Sequence, residues 1–81
     1  MNQASTQVVL PDLGEVDGAV VVGWLRCVGD AVQEGDDLVE VETEKTTFVV
    51  SAPASGRLAE IAVGEGKRVQ VGDRLGNITG G

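Results

Sequence analysis

The chain has 81 residues, enough for one small domain, and chains of this size bury only about 60–65% of the surface that they expose when unfolded. Its net charge of −7 argues against nucleic acid and membrane surfaces as partners, because binding to phosphate requires a basic face. The chain has no His or Tyr and one Cys, so the usual general bases, nucleophiles and zinc ligands are missing. We therefore expect no metal site and no catalysis by this chain alone.

Short β-branched runs separated by Gly, Asp and Pro predict an all-β chain. In chain order, the predicted strands are residues 6–10, 19–25, 31–32, 38–43, 46–51, 57–63, 68–69 and 74–78. No segment has a sustained helical period. Short strands with turn residues this often indicate a sandwich or a barrel.

The second half of the chain repeats the first at a shift of 37 residues, without gaps. In the 13-residue segments that begin at Gly29 and Gly66, six residues are identical. The same shift places Trp24 on Ile61, so we expect Trp24 inside or at the edge of the barrel. Two similar halves, each too small to bury its own apolar face, predict a barrel with a pseudo-two-fold axis.

Lys45 lies between two predicted strands, with Glu44 beside it at the tip of a hairpin. Neither is Gly or Asn, which primed two-residue turns prefer, whereas a type I turn accepts both residues. The matching position in the second half is the end of the chain, so the axis predicts the lysine turn at one end of the barrel and the termini at the other. By position alone, Lys45 would be an ordinary solvated charge.

Seven short motifs follow one another along the chain. They are LPDLGE at 10–15, WL at 24–25, VGD at 28–30, GD at 35–36, EVETEKT at 40–46, APASG at 52–56 and VGD at 71–73. With these motifs in this order, the chain resembles the lipoyl domains of 2-oxo acid dehydrogenase acyltransferase components, within the biotinyl/lipoyl carrier family. The resemblance extends from about Val8 to Ile78. It implies a flattened barrel-sandwich hybrid of two four-stranded antiparallel sheets. We expect a flexible segment at 1–7, the lipoyl domain at 8–79, and the start of a linker or the end of the expressed piece at 80–81.

The resemblance implies that lipoate is joined to Lys45 by an amide. It also implies that Glu42 and Gly29, three and sixteen residues before the lysine, guide the lipoylating enzyme, and we assign Glu44 to the same recognition surface. Two alternatives stay open, since Gly29 could be a turn glycine and Glu42 an ordinary solvent-facing strand residue.

The family's first loop lies near the lysine turn, so we expect Gly14, Glu15 and Thr46 to contribute to partner docking. This chain has Gly14-Glu15-Val16 where the family often has Gly-Glu-Gly, and Glu44 where the family usually has Asp. The alternatives are a biotin carrier, whose lysine typically lies between two Met residues, and an unmodified barrel that serves as an interaction module.

The implied partners are a lipoate ligase or lipoyl transferase, a thiamin-diphosphate decarboxylase component, the acyltransferase catalytic domain with coenzyme A, and a flavin-containing dihydrolipoamide dehydrogenase. The 2-oxo acid stays open between pyruvate, 2-oxoglutarate, a branched-chain acid and an acetoin-type substrate. We expect the isolated domain to be a monomer, located in the bacterial cytoplasm or, in a eukaryote, the mitochondrial matrix.

Cys27 is expected to be a small buried apolar residue.

Overall fold

The computed structural model describes residues 5–14 and 16–80, and these form eight strands. The strands are β1 (Ser5–Val9), β2 (Gly18–Trp24), β3 (Ala31–Val32), β4 (Asp37–Glu42), β5 (Thr47–Ser51), β6 (Gly56–Ile61), β7 (Arg68–Gln70) and β8 (Arg74–Thr79). Each predicted strand is present, with bounds within two residues of the expected ones. The described part of the chain contains no helix that is long and apolar enough to cross a lipid bilayer.

The strands form two four-stranded antiparallel sheets, as expected. The first sheet has the order β1-β8-β6-β3 and the second has the order β5-β4-β2-β7. The pairings keep these sheets separate, so they make a sandwich and not a fully closed barrel.

A pseudo-two-fold axis relates the two sheets. The strand order of one sheet becomes that of the other when β1 is exchanged with β5, β8 with β4, β6 with β2 and β3 with β7. Backbone hydrogen bonds repeat with the sequence shift. The Gly29 N–H donates to the Leu58 carbonyl at 2.7 Å, and the Gly66 N–H donates to the Val21 carbonyl at 2.8 Å. The structure thus confirms the repeat that the sequence predicted.

The core between the sheets is aliphatic. Its buried members among the described residues are Val8, Leu10, Ala19, Val21, Val32, Leu38, Val39, Val41, Val50, Ala52, Leu58, Val69, Leu75 and Ile78. Burial of each Val, Leu or Ile side chain stabilises the fold by about 1.5–3 kcal/mol. Trp24 is half-buried against this core, and its indole N–H donates to the Val63 carbonyl at 2.8 Å. Trp24 therefore lies at the edge of the core, as expected.

Two expectations change with the structure. Cys27 is exposed and not buried, because it lies in the turn after β2, where its N–H donates to the Asp30 carboxylate at 2.8 Å. Ser5 pairs with Thr79 and Gln7 with Asn77, so residues 5–7 of the expected flexible segment belong to β1. The remainder of that segment, residues 1–4, and Gly81 lie outside the described residues.

The same strand pairing occurs at the two ends of the sandwich. In the second sheet, Glu42 of β4 pairs with Thr47 of β5, and the chain between them forms a tight turn. In the first sheet, Thr79 of β8 pairs with Ser5 of β1, which is the first described residue of the chain. Because the axis exchanges these two pairs, the lysine turn and the Ser5–Thr79 pair lie at opposite ends of the sandwich, as the repeat predicted.

Candidate functional site

The turn between β4 and β5 consists of residues 43–46 and is held by the Thr43 side chain. The Thr43 N–H donates to the Thr46 carbonyl at 2.7 Å. The N–H groups of Lys45 and Thr46 both donate to Thr43 Oγ1, at 3.1 and 3.0 Å. The Thr43 hydroxyl in turn donates to the Thr46 carbonyl at 3.0 Å. One hydroxyl therefore links both sides of the turn.

The backbone of this turn is of the unprimed kind. Among the described residues, only glycines have positive φ, whereas primed two-residue turns need at least one positive φ at Glu44 or Lys45. This agrees with the type I geometry that the sequence favoured. Unprimed turns match the twist of the flanking strands poorly. In this turn the Thr46 N–H donates to the Thr43 hydroxyl, so a side-chain oxygen accepts the hydrogen bond that crosses the turn.

Lys45 and Thr46 are exposed at the tip, and the loop after β1 lies against them. Together they line an open cleft of about 260 Å³, whose walls are Leu13, Gly14, Val16, Thr43, Lys45, Thr46 and Phe48. The Gly14 N–H donates to Asp12 Oδ1 at 2.9 Å, which fixes the turn of this loop. The expected proximity of the first loop to the lysine is thus confirmed for Gly14, while Glu15 lies outside the described residues.

This cleft fits the group that the resemblance places on Lys45. Amide formation needs an accessible primary amine, and the exposed tip provides one. Leu13, Val16 and Phe48 are half-buried apolar residues beside that amine, and such a wall can accept an alkyl chain.

A second cleft, of about 450 Å³, lies on the other side of the turn. It is lined by Val16, Asp17, Gly18, Val20, Glu42, Thr43, Glu44 and Arg68. Three acids and one base give these side chains a net charge of −2 at neutral pH. The structure therefore brings Glu42 and Glu44 together in one acidic cleft beside the lysine turn.

Gly29 is placed elsewhere. Its carbonyl accepts a hydrogen bond from Arg57 Nη1 at 2.7 Å, and Arg57 pairs with Thr79 at the end of the sandwich that holds the chain ends. Its φ of +99° lies in the left-handed region, which favours glycine whatever binds nearby. The structure thus supports the turn alternative for Gly29, and its role in enzyme recognition stays a prediction.

Sequence reasoning missed the role of Thr43 and the apolar wall of the first cleft. Thr43 follows directly after β4 and is buried, with an exposure of 8%. The sequence signal for the role of Thr43 was a hydroxyl residue three positions before Thr46, with the two tip residues between them, because Thr hydroxyls bind nearby backbone groups in turns. No group of three or more His, Cys, Asp or Glu residues that could hold a metal ion occurs in ranges 5–14 and 16–80.

Comparison with known proteins identifies the family. The biotin/lipoyl family model, described as "Biotin-requiring enzyme", matches residues 6–78. The chain is 39% identical over 75 residues to the dihydrolipoyllysine-residue succinyltransferase component of the 2-oxoglutarate dehydrogenase complex from Rickettsia typhi, a match that covers 91% of this chain and 19% of that protein. It is 40% identical over 72 residues to the dihydrolipoyllysine-residue acetyltransferase component of the pyruvate dehydrogenase complex from Mycobacterium tuberculosis, a match that covers 88% and 13%.

The chain thus spans about a fifth or less of the curated relatives that it matches. A solved structure of similar length is the lipoyl domain of the dihydrolipoyl succinyltransferase from Escherichia coli. It is 37% identical, with a TM-score of 0.78 and coverage of 96% of this chain and 99% of that one. Since a family model matches nearly the whole chain and a lipoyl domain matches it from end to end, the chain belongs to the biotin/lipoyl family and is a lipoyl domain.

Proposed function

We propose that Lys45 is the lipoyl attachment site and that the domain serves a 2-oxo acid dehydrogenase complex as the carrier part of its acyltransferase component. Lipoyl domains carry lipoate covalently on a lysine and act as swinging-arm carriers. The observation that supports Lys45 is its exposed position at the tip of the β4–β5 hairpin, at the opposite end of the sandwich from the chain ends. A group attached at this tip is presented at the far end of the sandwich from the Ser5–Thr79 pair.

Lys67 is the only other lysine of the chain. It lies in the loop before β7, where its carbonyl accepts the Val21 N–H at 2.9 Å, and this bond fixes its backbone against β2. Lys45 is instead the outermost part of a hairpin, with open clefts on both sides. A modifying enzyme can therefore enclose Lys45 more readily than Lys67.

The chain's own residues contribute display and recognition. An amide on Lys45 removes its positive charge, so the tip becomes more acidic around Glu42 and Glu44. Lipoate, when bound, supplies the dithiol chemistry that takes up and releases acyl groups. Tethering raises the effective concentration of the cargo at each partner site. The acidic cleft favours partners with a basic docking surface and accelerates their association.

The proposed partners follow from the complex. They are the lipoylating enzyme, a thiamin-diphosphate decarboxylase component, the acyltransferase catalytic domain with coenzyme A, and dihydrolipoamide dehydrogenase. The support for this set is the similarity to acyltransferase components of two such complexes.

The test is labelling by a lipoate ligase with lipoate and ATP, followed by intact mass and peptide mapping. We expect the parent and Lys67→Arg to gain one lipoyl group each, and Lys45→Arg to gain none. Arg retains the positive charge, so the two variants differ only in which amine remains. A lipoyl group on Lys67, or labelling of Lys45→Arg, would contradict the assignment. A biotin ligase in a parallel reaction tests the biotin alternative, and efficient biotinylation of Lys45 would favour it.

A further inference from the structure

We infer that Thr43 is a positioning residue for the modification of Lys45, because its hydroxyl holds the turn in the shape that the lipoylating enzyme selects. This inference rests on the proposed function of Lys45. It concerns a residue that does not itself contact the group to be attached.

The Thr43 hydroxyl uses its whole hydrogen-bonding capacity inside the turn. A hydroxyl has one donor and two acceptor positions. Oγ1 accepts the N–H groups of Lys45 and Thr46 and donates to the Thr46 carbonyl, all within 3.1 Å. Thr43 is 8% exposed, so water competes little for this hydroxyl. The backbone of Lys45 is thus anchored on one buried oxygen atom.

The scaffold does not determine this turn by symmetry. At a shift of 37 residues, Thr43 corresponds to Gly80, at the end where β8 and β1 are not joined by a turn. The strand pairing is the same at both ends, so it is compatible with a closed turn or with none. The shape of the tip therefore depends on local residues, and Thr43 is the described residue whose side chain links both sides.

Loss of the hydroxyl should leave the sandwich intact and enlarge the set of conformations at the tip. The Lys45 and Thr46 N–H groups would then bind water or other acceptors in several arrangements. If the enzyme binds one arrangement, its apparent affinity falls in proportion to the population of that arrangement. Loss of the three hydrogen bonds of this hydroxyl lowers the equilibrium constant for that arrangement by about a hundredfold at ordinary hydrogen-bond strength, which is enough to lower its population about tenfold. Because the variant and the parent have the same turn once they are bound to the enzyme, KM should rise about tenfold and kcat should change little.

Two substitutions separate the hydroxyl from the rest of the side chain. Thr43→Val keeps the β-branched shape and removes the hydroxyl, while Thr43→Ser keeps the hydroxyl and removes the methyl group. Thr47→Val is the matched control, since it makes the same chemical change at an exposed position of β5, outside the turn. Lipoate ligase kinetics on the folded domains give KM and kcat, and NMR hydrogen exchange reports on the Lys45 and Thr46 amides.

We expect Thr43→Val to raise KM about tenfold and to accelerate exchange of those two amides, with Thr43→Ser within about twofold of the parent in both measurements. Thr47→Val should match the parent. Thr43→Val with parental KM would overturn the inference, and so would Thr43→Ser with the same defect as Thr43→Val, which would indicate the methyl group. If Thr43→Val does not fold, the Ser variant decides, because only parental KM and exchange agree with a role for the hydroxyl. A parent that is not labelled on Lys45 would refute the proposed function, whereas the amide exchange would still test the anchoring of the turn.

Discussion

The two ends of the sandwich use the same pair of strands for opposite tasks. At one end, β4 and β5 are joined by residues 43–46, which display Lys45. At the other end, β8 and β1 occupy the equivalent positions, and no turn joins them. The comparison teaches that a duplicated scaffold can close a hairpin at one end and leave the equivalent strands unjoined at the other while it keeps the same strand pairing.

The surfaces of the two ends differ where the cores agree. Glu40 and Glu42 on β4 correspond to Asn77 and Thr79 on β8 at the shift of 37 residues. The lysine end is therefore acidic at positions where the end with the Ser5–Thr79 pair is neutral. Buried positions of the same two strands stay apolar, as Leu38 and Leu75 illustrate. Stability should therefore depend equally on the two halves, while recognition should depend on one.

The largest expected effect tests the equivalence of the cores. Leu38→Ala and Leu75→Ala each remove a side chain with 0% exposure, and each should lower the free energy of unfolding by about 2–5 kcal/mol. Because the two sites are pseudo-equivalent, the two losses should agree within about 1 kcal/mol. Urea denaturation followed by circular dichroism measures both. A much larger loss at one site would show that the halves are energetically unequal in spite of their symmetry.

The next largest effect on stability concerns interior positions at which the two halves of the chain differ. The shift pairs Trp24 with Ile61 and Val39 with Gly76. A Cβ at Gly76 would lie 3.1 Å from the Trp24 ring and 2.4 Å from the Glu60 carbonyl, so glycine makes room for the indole. Trp24→Ala should cost about 3 kcal/mol, at the low end for a large aromatic residue because the ring is only half-buried.

Trp24→Phe is the control for that variant. It keeps an aromatic ring and removes the donor that binds the Val63 carbonyl, so we expect a loss of about 1 kcal/mol. Denaturant midpoints of the two variants and the parent give the order. A midpoint of Trp24→Ala equal to that of the parent would show that the ring contributes nothing to the contact between the sheets.

Most of the fold could be predicted because its determinants are local or repeated. Strand bounds follow from β-branched runs between Gly and Asp residues, and the pseudo-two-fold relation of the two halves follows from a repeat that is visible without gaps. The exposure of Cys27 could not be predicted in this way, since it depends on how the chain leaves β2. General frequencies favour a buried cysteine, but the hydrogen bond to Asp30 places this one in an exposed turn.

The site could be predicted only in part. The position of Lys45 follows from the hairpin, and the residues assigned to recognition follow from a resemblance. The apolar wall of Leu13, Val16 and Phe48 requires a loop to pack against a distant strand, which no local pattern specifies. The anchoring role of Thr43 depends on which turn closes the hairpin, and a sequence that is compatible with a turn type does not determine its hydrogen bonds.

The smallest expected effect on stability tests the asymmetry of the surfaces. Glu42 and Glu44 are exposed, so Glu42→Gln and Glu44→Gln should each change the free energy of unfolding by no more than about 0.5 kcal/mol. If Glu42 is read by the lipoylating enzyme, Glu42→Gln should slow lipoylation. If Glu44 serves docking to the decarboxylase component, Glu44→Gln should be lipoylated normally but acylated more slowly.

Ionic strength separates specific contacts from diffuse attraction. Diffuse attraction is screened over about 8–10 Å at physiological salt, so a defect that comes from net charge alone should vanish at high salt. A specific contact loses its partner at any salt concentration, so its defect should persist. Glu34→Gln is the matched control, because it removes the same charge from the turn before β4, at the opposite end of that strand from Glu42. If Glu34→Gln matches the Glu42 and Glu44 variants in both reactions, at low and at high salt, the acids at the lysine end act only through net charge. The surface asymmetry would then have no part in recognition.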